Sequence, residues 1–271
     1  MHFLRLFWVA GKRWYTTDAS RLAAAVAYFT PFALVPLLLI SIVVVGWVTD
    51  EALFTDLLRS WGQMVGFGVT DVVSGAVTEF DPADVYYGMT WLATIFLGAM
   101  VVFTFNNLAA GLRIVWGVSG KGVWGAVETT VRTIGFFFLL QVFFVAVLVI
   151  EVMIPALVAV SGLVVLQRFL LFGSIVVLVT VGFLVLTWQA PSFLARLSGA
   201  IVVAIIFLFL RTIIDWWIYF TPAVEQYGGA GVVFALLVWI YVTTMVIFYG
   251  AAFAWAFDHE RIGRPYPPRS L

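Results

Sequence analysis

Arg211 and Asp215 stand four residues apart in an otherwise apolar run, FLFLRTIIDWWIYF at 207–220. On a helix that spacing puts them on one face, close enough to pair. Glu151 sits in VLVIEVMIP with no basic residue beside it. A charge at mid-bilayer costs about 2.5–3.5 kcal/mol on insertion scales unless it meets a partner or water. These three residues therefore form the candidate intramembrane polar site, able to handle a proton, an ion or a polar headgroup. The same residues also fit an ion pair that only holds helices together, with Glu151 near the outer interface.

Other reactive chemistry is sparse. The chain has two histidines, His2 and His259, and no cysteine. That excludes disulfides, iron–sulfur clusters and thiol catalysis. Metal-dependent phosphodiester hydrolysis needs clustered ligands, whereas Asp258-His259-Glu260 is a short charged trio read as the solvated end of the last helix. No catalytic residue, metal or cofactor is assigned, and the chain is not expected to be an enzyme. Net charge is zero, which gives no field for nucleic acid.

The elements that carry these residues are membrane spans. Hydrophobic residues make up 64% and charged residues 10% of 271, against about 25% charged in a soluble domain. Mean hydropathy is +1.11. A bilayer core takes about 20 apolar residues as a helix, and six segments qualify: 22–48, 88–112, 133–165, 169–188, 198–220 and 229–257. The third is long, and Pro155 is expected to end its helix. The domain reading is one six-helix membrane unit over 1–258 and a short cytoplasmic tail at 259–271. No cleavable leader is read in MHFLRLFWVAGKRWYT. Phe3, Phe7, Ala10 and Trp14 recur there at helical spacing, which predicts a short basic helix at the membrane surface.

Charge sets the orientation, because cytoplasmic loops collect Lys and Arg. With both termini inside, eleven of the fourteen basic residues fall on the cytoplasmic side. Arg59 and Arg168 fall outside, and Arg211 lies within a span. The connection 49–87 is acidic, and the rhythm of Leu53, Leu57, Trp61, Met64 and Val65, then Val69, Val72, Val73 and Ala76, predicts amphipathic helices. They would lie on the outer leaflet or cover the bundle as a lid. Asn106 and Asn107, in TFNNLAAGLR, are read as interhelical hydrogen-bonding groups. Small-residue faces such as Gly250 and Ala254 suit packing within the bundle or between copies in a homo-oligomer.

The first span opens AAAVAYFTPFALVPLL. Pro31 and Pro36 lack the N–H groups that would bond the carbonyls of Ala27 and Phe32. Two acceptors are thus freed at membrane depth, with Tyr28, Thr30 and Ser41 as local compensators. A bent helix follows, closely packed along Ser20, Ala24, Ala27 and Pro31. Broken helices also mark transporter binding sites.

Together these segments resemble the YihY/BrkB family of bacterial inner-membrane proteins, once described as ribonuclease BN. The likeness rests on Ala23 to Phe29 followed by Pro36-Leu37-Leu38, on Pro191 with Ser198-Gly199-Ala200, and on the last span. There it covers Tyr227-Gly228, Gly231, LLVWIYV at 236–242 and Gly250-Ala251. Pro31 and Ala33 depart from the Leu and Ser common in that pattern, and Ala252 stands where an acidic residue is common. The resemblance implies a six-helix, multi-pass inner-membrane protein with suggested roles in transport or export of an envelope component. The expected function is such transport of a lipid-like or small polar solute, with a non-transporting scaffold or partner-binding subunit as the alternative. Ribonuclease activity is rejected on the residues. The expected partners are membrane lipids and a substrate that the sequence does not name.

Overall fold

The computed structural model describes residues 2–48, 91–118, 125, 127–143, 164–187, 191–220 and 223–263. Seven helices and no strands occur among them: α1 (His2–Thr16), α2 (Ala19–Val48), α3 (Trp91–Trp116), α4 (127–143), α5 (Val164–Leu186), α6 (Phe193–Phe220) and α7 (Ala223–Ile262). In hydrocarbon a backbone must satisfy its own polar groups, so long apolar runs become helices. Among the described residues four stretches are long and apolar enough to cross a membrane: Ile95–Trp116, Phe169–Leu186, Phe193–Ile213 and Leu236–Ile262. A shorter apolar segment, Ala19–Leu34, opens α2. The chain is thus a multi-pass membrane protein, all-helical among the described residues. The expected amphipathic helices of 51–80, Glu151 and Pro155 lie outside the described residues.

α7 is the central element and packs against α1, α2, α3 and α6. α2 also packs on α3, and α5 on α6. α4 leans on α3 through edge-to-face rings, Phe105 lying 5.5 Å from Phe136. Outward faces carry exposed Phe103, Phe138, Phe169, Val177 and Phe209, the surface a lipid-bathed bundle presents.

α2 runs as one helix through both prolines. Its buried seam is Ala19, Ala23, Val26, Ala33 and Leu37, with half-buried Thr30 completing a three–four alternation. Such spacing is the signature of helices packed at a shallow angle. The expected stripe needs correction by one position: Ala27 is buried, but Ala24 is exposed. Pro31 lies half-buried beside the seam and Phe32 faces outward. The Thr30 hydroxyl donates to Val26 O at 2.7 Å, the carbonyl preceding the one Pro31 frees.

α6 and α7 approach each other closely at Gly199 and Gly250. A Cβ on Gly199 would strike the Gly250 carbonyl oxygen and lie 2.9 Å from Ala254 Cβ. One on Gly250 would strike Val203 and lie 2.8 Å from the Gly199 oxygen. Small residues at such crossings let two backbones touch, and here they serve packing within the chain.

Gly199→Ala is expected to force α6 from α7, because backbone rather than a flexible side chain blocks the new methyl. The cost is about 1–3 kcal/mol, read as a lower unfolding temperature in detergent. Gly173→Ala, where the new Cβ meets nothing within 4 Å, is expected to be neutral or stabilising by up to about 1 kcal/mol.

Candidate functional site

Helix ends converge at the level of Trp116 and Trp255. α3 ends in a Schellman turn: Val118 N donates to Arg113 O at 2.9 Å, and Gly117 N to Ile114 O at 3.1 Å. Gly117 supplies the left-handed φ of 69° the turn needs. Arg13 completes this cap from α1, its Nε donating to Val115 O at 2.8 Å and Nη2 to Ile114 O at 3.3 Å. A cation there also meets the negative end of the α3 dipole. The guanidinium carbon lies 4.5 Å from the centre of the Trp255 ring, a favourable cation–π distance. Burial holds the Arg13 pKa below its usual value, yet arginine stays charged at any physiological pH.

The start of α6 is capped from α7. Asp258 Oδ1 accepts from Ser192 N at 3.1 Å and from Ser192 Oγ at 2.5 Å. Ser192 O in turn accepts from Arg196 N at 3.0 Å. The carboxylate thus sits at the positive end of α6 and supplies countercharge to buried Arg196. Arg196 Nη2 donates to Thr187 O at the end of α5, 3.2 Å away. Trp116 Nε1 donates to Ala251 O at 2.8 Å, and its ring meets Phe183 edge-on at 5.4 Å. His259 lies 4.1 Å from the Trp255 ring, with Nδ1 2.9 Å from Trp255 O. Ser192 and Asp258 do not form the relay of a hydrolase, in which an imidazole separates hydroxyl from carboxylate. Here the hydroxyl donates a hydrogen bond directly to the carboxylate, which is capping chemistry.

A polar seam joins α3 to α4 at membrane depth. Arg113 Nη2 donates to Thr129 Oγ1. Two turns further in, about 10 Å along the axis, Asn106 Oδ1 accepts from Thr133 Oγ1 at 2.9 Å and Nδ2 donates to Thr130 Oγ1 at 3.4 Å. Gln141 is buried further along α4. Around Asn106, Thr129, Thr130 and Thr133 the two helices are thus joined by hydroxyl and amide hydrogen bonds rather than by apolar packing alone. Among the described residues no three His, Asp or Glu side chains gather where a metal ion could be held.

The residues singled out from sequence are dispersed. Arg211 is half-buried on α6, fifteen residues beyond Arg196 and so about 22 Å along the axis. Asp215 follows one turn later on the same helix. Its side chain, those of Pro36 and Glu151, and any contact among Arg211, Asp215 and Glu151 lie outside the described residues. Asn106 bridges helices as expected, whereas Asn107 bonds to Phe103 O on its own helix. Asp258 is pinned rather than solvated, and α7 continues through Ile262. Arg13, Arg196, Ser192, Trp116 and Trp255 were not foreseen as a group. The one local signal was Gly117 at the end of an apolar run, a helix-stop pattern.

Asp258→Ala is expected to lower stability by about 1–3 kcal/mol, removing both the α6 cap and countercharge for Arg196. Arg13→Lys keeps the charge but loses the guanidinium fork, at an expected cost of about 1 kcal/mol. Thermal unfolding of the purified protein in detergent measures both, and wild-type stability in either variant would contradict the capping role.

No curated protein and no solved structure matches the chain. The family model described as Virulence factor BrkB matches residues 10–270. That span contains the capped helix ends, the α3–α4 seam and the α6–α7 crossing, and the chain belongs to the Virulence factor BrkB family.

Proposed function

We propose that the protein moves a lipid-like or small polar envelope component across the bacterial inner membrane through a six-span bundle with both termini in the cytoplasm. The observation that supports this reading most is the α3–α4 seam, where Asn106 meets Thr130 and Thr133 at membrane depth and Arg113 meets Thr129 two turns nearer the end of α3. Polar groups there are costly, and they favour a route for polar matter when they line adjacent helices. Arg211, half-buried on α6 about 22 Å along the axis from Arg196, adds a charged group within an apolar stretch. The sidedness follows from charge. Arg13, Arg21, Arg113, Arg132, Arg196 and Arg261 belong to the end where α1 docks, and cations collect on the cytoplasmic side. In this reading Pro31 and Pro36 bend the first span.

A second reading, a non-transporting scaffold or partner-binding subunit, draws on the α6–α7 crossing. Gly199 and Gly250 pack there without space for one methyl group, as in a bundle built to stay closed.

Translocation of a fluorescent-headgroup phosphatidylglycerol in liposomes separates the two. Transport predicts translocation by the wild type and a loss of roughly tenfold or more in Asn106→Leu, Arg211→Ala and Asp215→Ala, with unfolding temperatures little changed. Failure of the wild type to translocate this probe or a small polar solute, with lowered unfolding temperatures in all three variants, favours the scaffold.

A further inference from the structure

The two faces of α1 are used differently. Leu6 and Ala10 are buried. Beside them Trp14 Nε1 donates to Met245 O at 3.3 Å, Phe7 O accepts from Tyr249 Oη at 3.3 Å, and Phe7 lies 4.9 Å from Phe253. This inward face is therefore fully occupied by α7. On the opposite face Leu4, Trp8 and Tyr15 are 79%, 77% and 77% exposed. At 3.6 residues per turn these three fall within about 40° of one another around the helix. Arg5 and Lys12 lie side by side along one edge of this ridge and are also exposed.

Position decides what covers this face. The residues of α7 that hold α1, Met245 to Trp255, lie inside the apolar stretch Leu236–Ile262. α1 is therefore docked beside a membrane-crossing segment, at a level where its outer side meets the bilayer. A ridge of leucine, tryptophan and tyrosine bordered by two cations matches the headgroup layer, apolar body inward and charge toward phosphate. The turn at Thr17–Asp18 holds the helix in place: Thr17 Oγ1 donates to Arg13 O at 2.9 Å, and Asp18 takes a φ of 51°.

We propose that the outer face of α1 is a binding site for anionic phospholipid headgroups, with Trp8 and Tyr15 seated at the interface and Arg5 and Lys12 engaging the phosphates. This site is independent of whether any solute is translocated. The same helix touches the end of α3 through Arg13 and the middle of α7 through Trp14.

Because the chain has no cysteine, Trp8→Cys and Arg5→Cys give single sites for a spin label on the full-length protein. The labelled proteins are placed in vesicles of phosphatidylcholine alone, or of equal parts phosphatidylcholine and phosphatidylglycerol. The expected result is a label at position 8 shielded from a water-soluble relaxant and open to oxygen, more so when phosphatidylglycerol is present. The label at position 5 should be more accessible to water. Arg5→Gln with Lys12→Gln, in the Trp8→Cys background, should abolish the phosphatidylglycerol-dependent change while leaving the unfolding temperature unaltered. A position-8 label equally open to water in both vesicles would overturn the proposal. So would an unchanged phosphatidylglycerol response in the double variant, or dipolar broadening showing that a second copy covers the face.

Discussion

Seven consecutive residues of α7, Gly250 to Ala256, are buried on every side of the helix. A helix keeps no exposed face only when neighbours surround it, and the rest of the structure follows from that enclosure. α6 approaches at Gly250 and Ala254 through Gly199. α3 reaches Ala251 O through Trp116. α1 lies along Phe253 and Trp255 through Phe7 and Arg13. The run GAAFAWA alternates small residues, which admit backbones, with two aromatics that fill the gaps between them. A larger residue at an alanine would displace a helix, whereas a smaller one at an aromatic would leave a void.

Enclosure at this level creates a second requirement. Helix ends that meet around α7 bring unpaired carbonyls and N–H groups away from bulk water, where each is costly. Three devices meet the need without loops of regular structure: the Gly117 turn with Arg13 on the α3 carbonyls, Asp258 on Ser192 at the start of α6, and Arg196 on Thr187 O at the end of α5. Arginine suits this work because its planar fork spans two acceptors and its flat face stacks on indole. The tryptophans are consequently structural partners of cations as well as interface markers.

Hydropathy made the spans legible. The apolar segments 88–112, 169–188, 198–220 and 229–257 correspond to α3, α5, α6 and α7, because burial in lipid imposes a local, contiguous signal. The Ala23–Phe29 and LLVWIYV segments also carried the family. What stayed hidden was pairing over distance. Arg13 and Val115 are 102 residues apart, and Ser192 and Asp258 are 66 apart, so no local periodicity couples them. Asp258 beside His259 and Glu260 reads as a soluble helix end until Ser192 is brought to it. The α2 stripe was misplaced by one residue for a related reason. Small residues occur at both Ala23 and Ala24, and only the partners α3 and α7 decide which of them faces inward. Ala252 is the sharpest case. Its place among residues with no exposed side shows why an alanine fits there, where a carboxylate would need its own counterion.

The distribution of polarity gives the bundle two unlike regions. Around Gly250–Ala256 helix ends are capped by Arg13, Asp258 and Arg196, and the backbones of Gly199 and Gly250 touch. Between α3 and α4 the contacts are instead hydroxyls and amides: Asn106 with Thr130 and Thr133, and Arg113 with Thr129. Exchange of such hydrogen bonds costs less than opening a close-packed crossing, because a lost partner can be replaced by water or a polar solute. Arg113 stands at the meeting point of the two regions. Its backbone carbonyl belongs to the capped end of α3, while its guanidinium belongs to the seam.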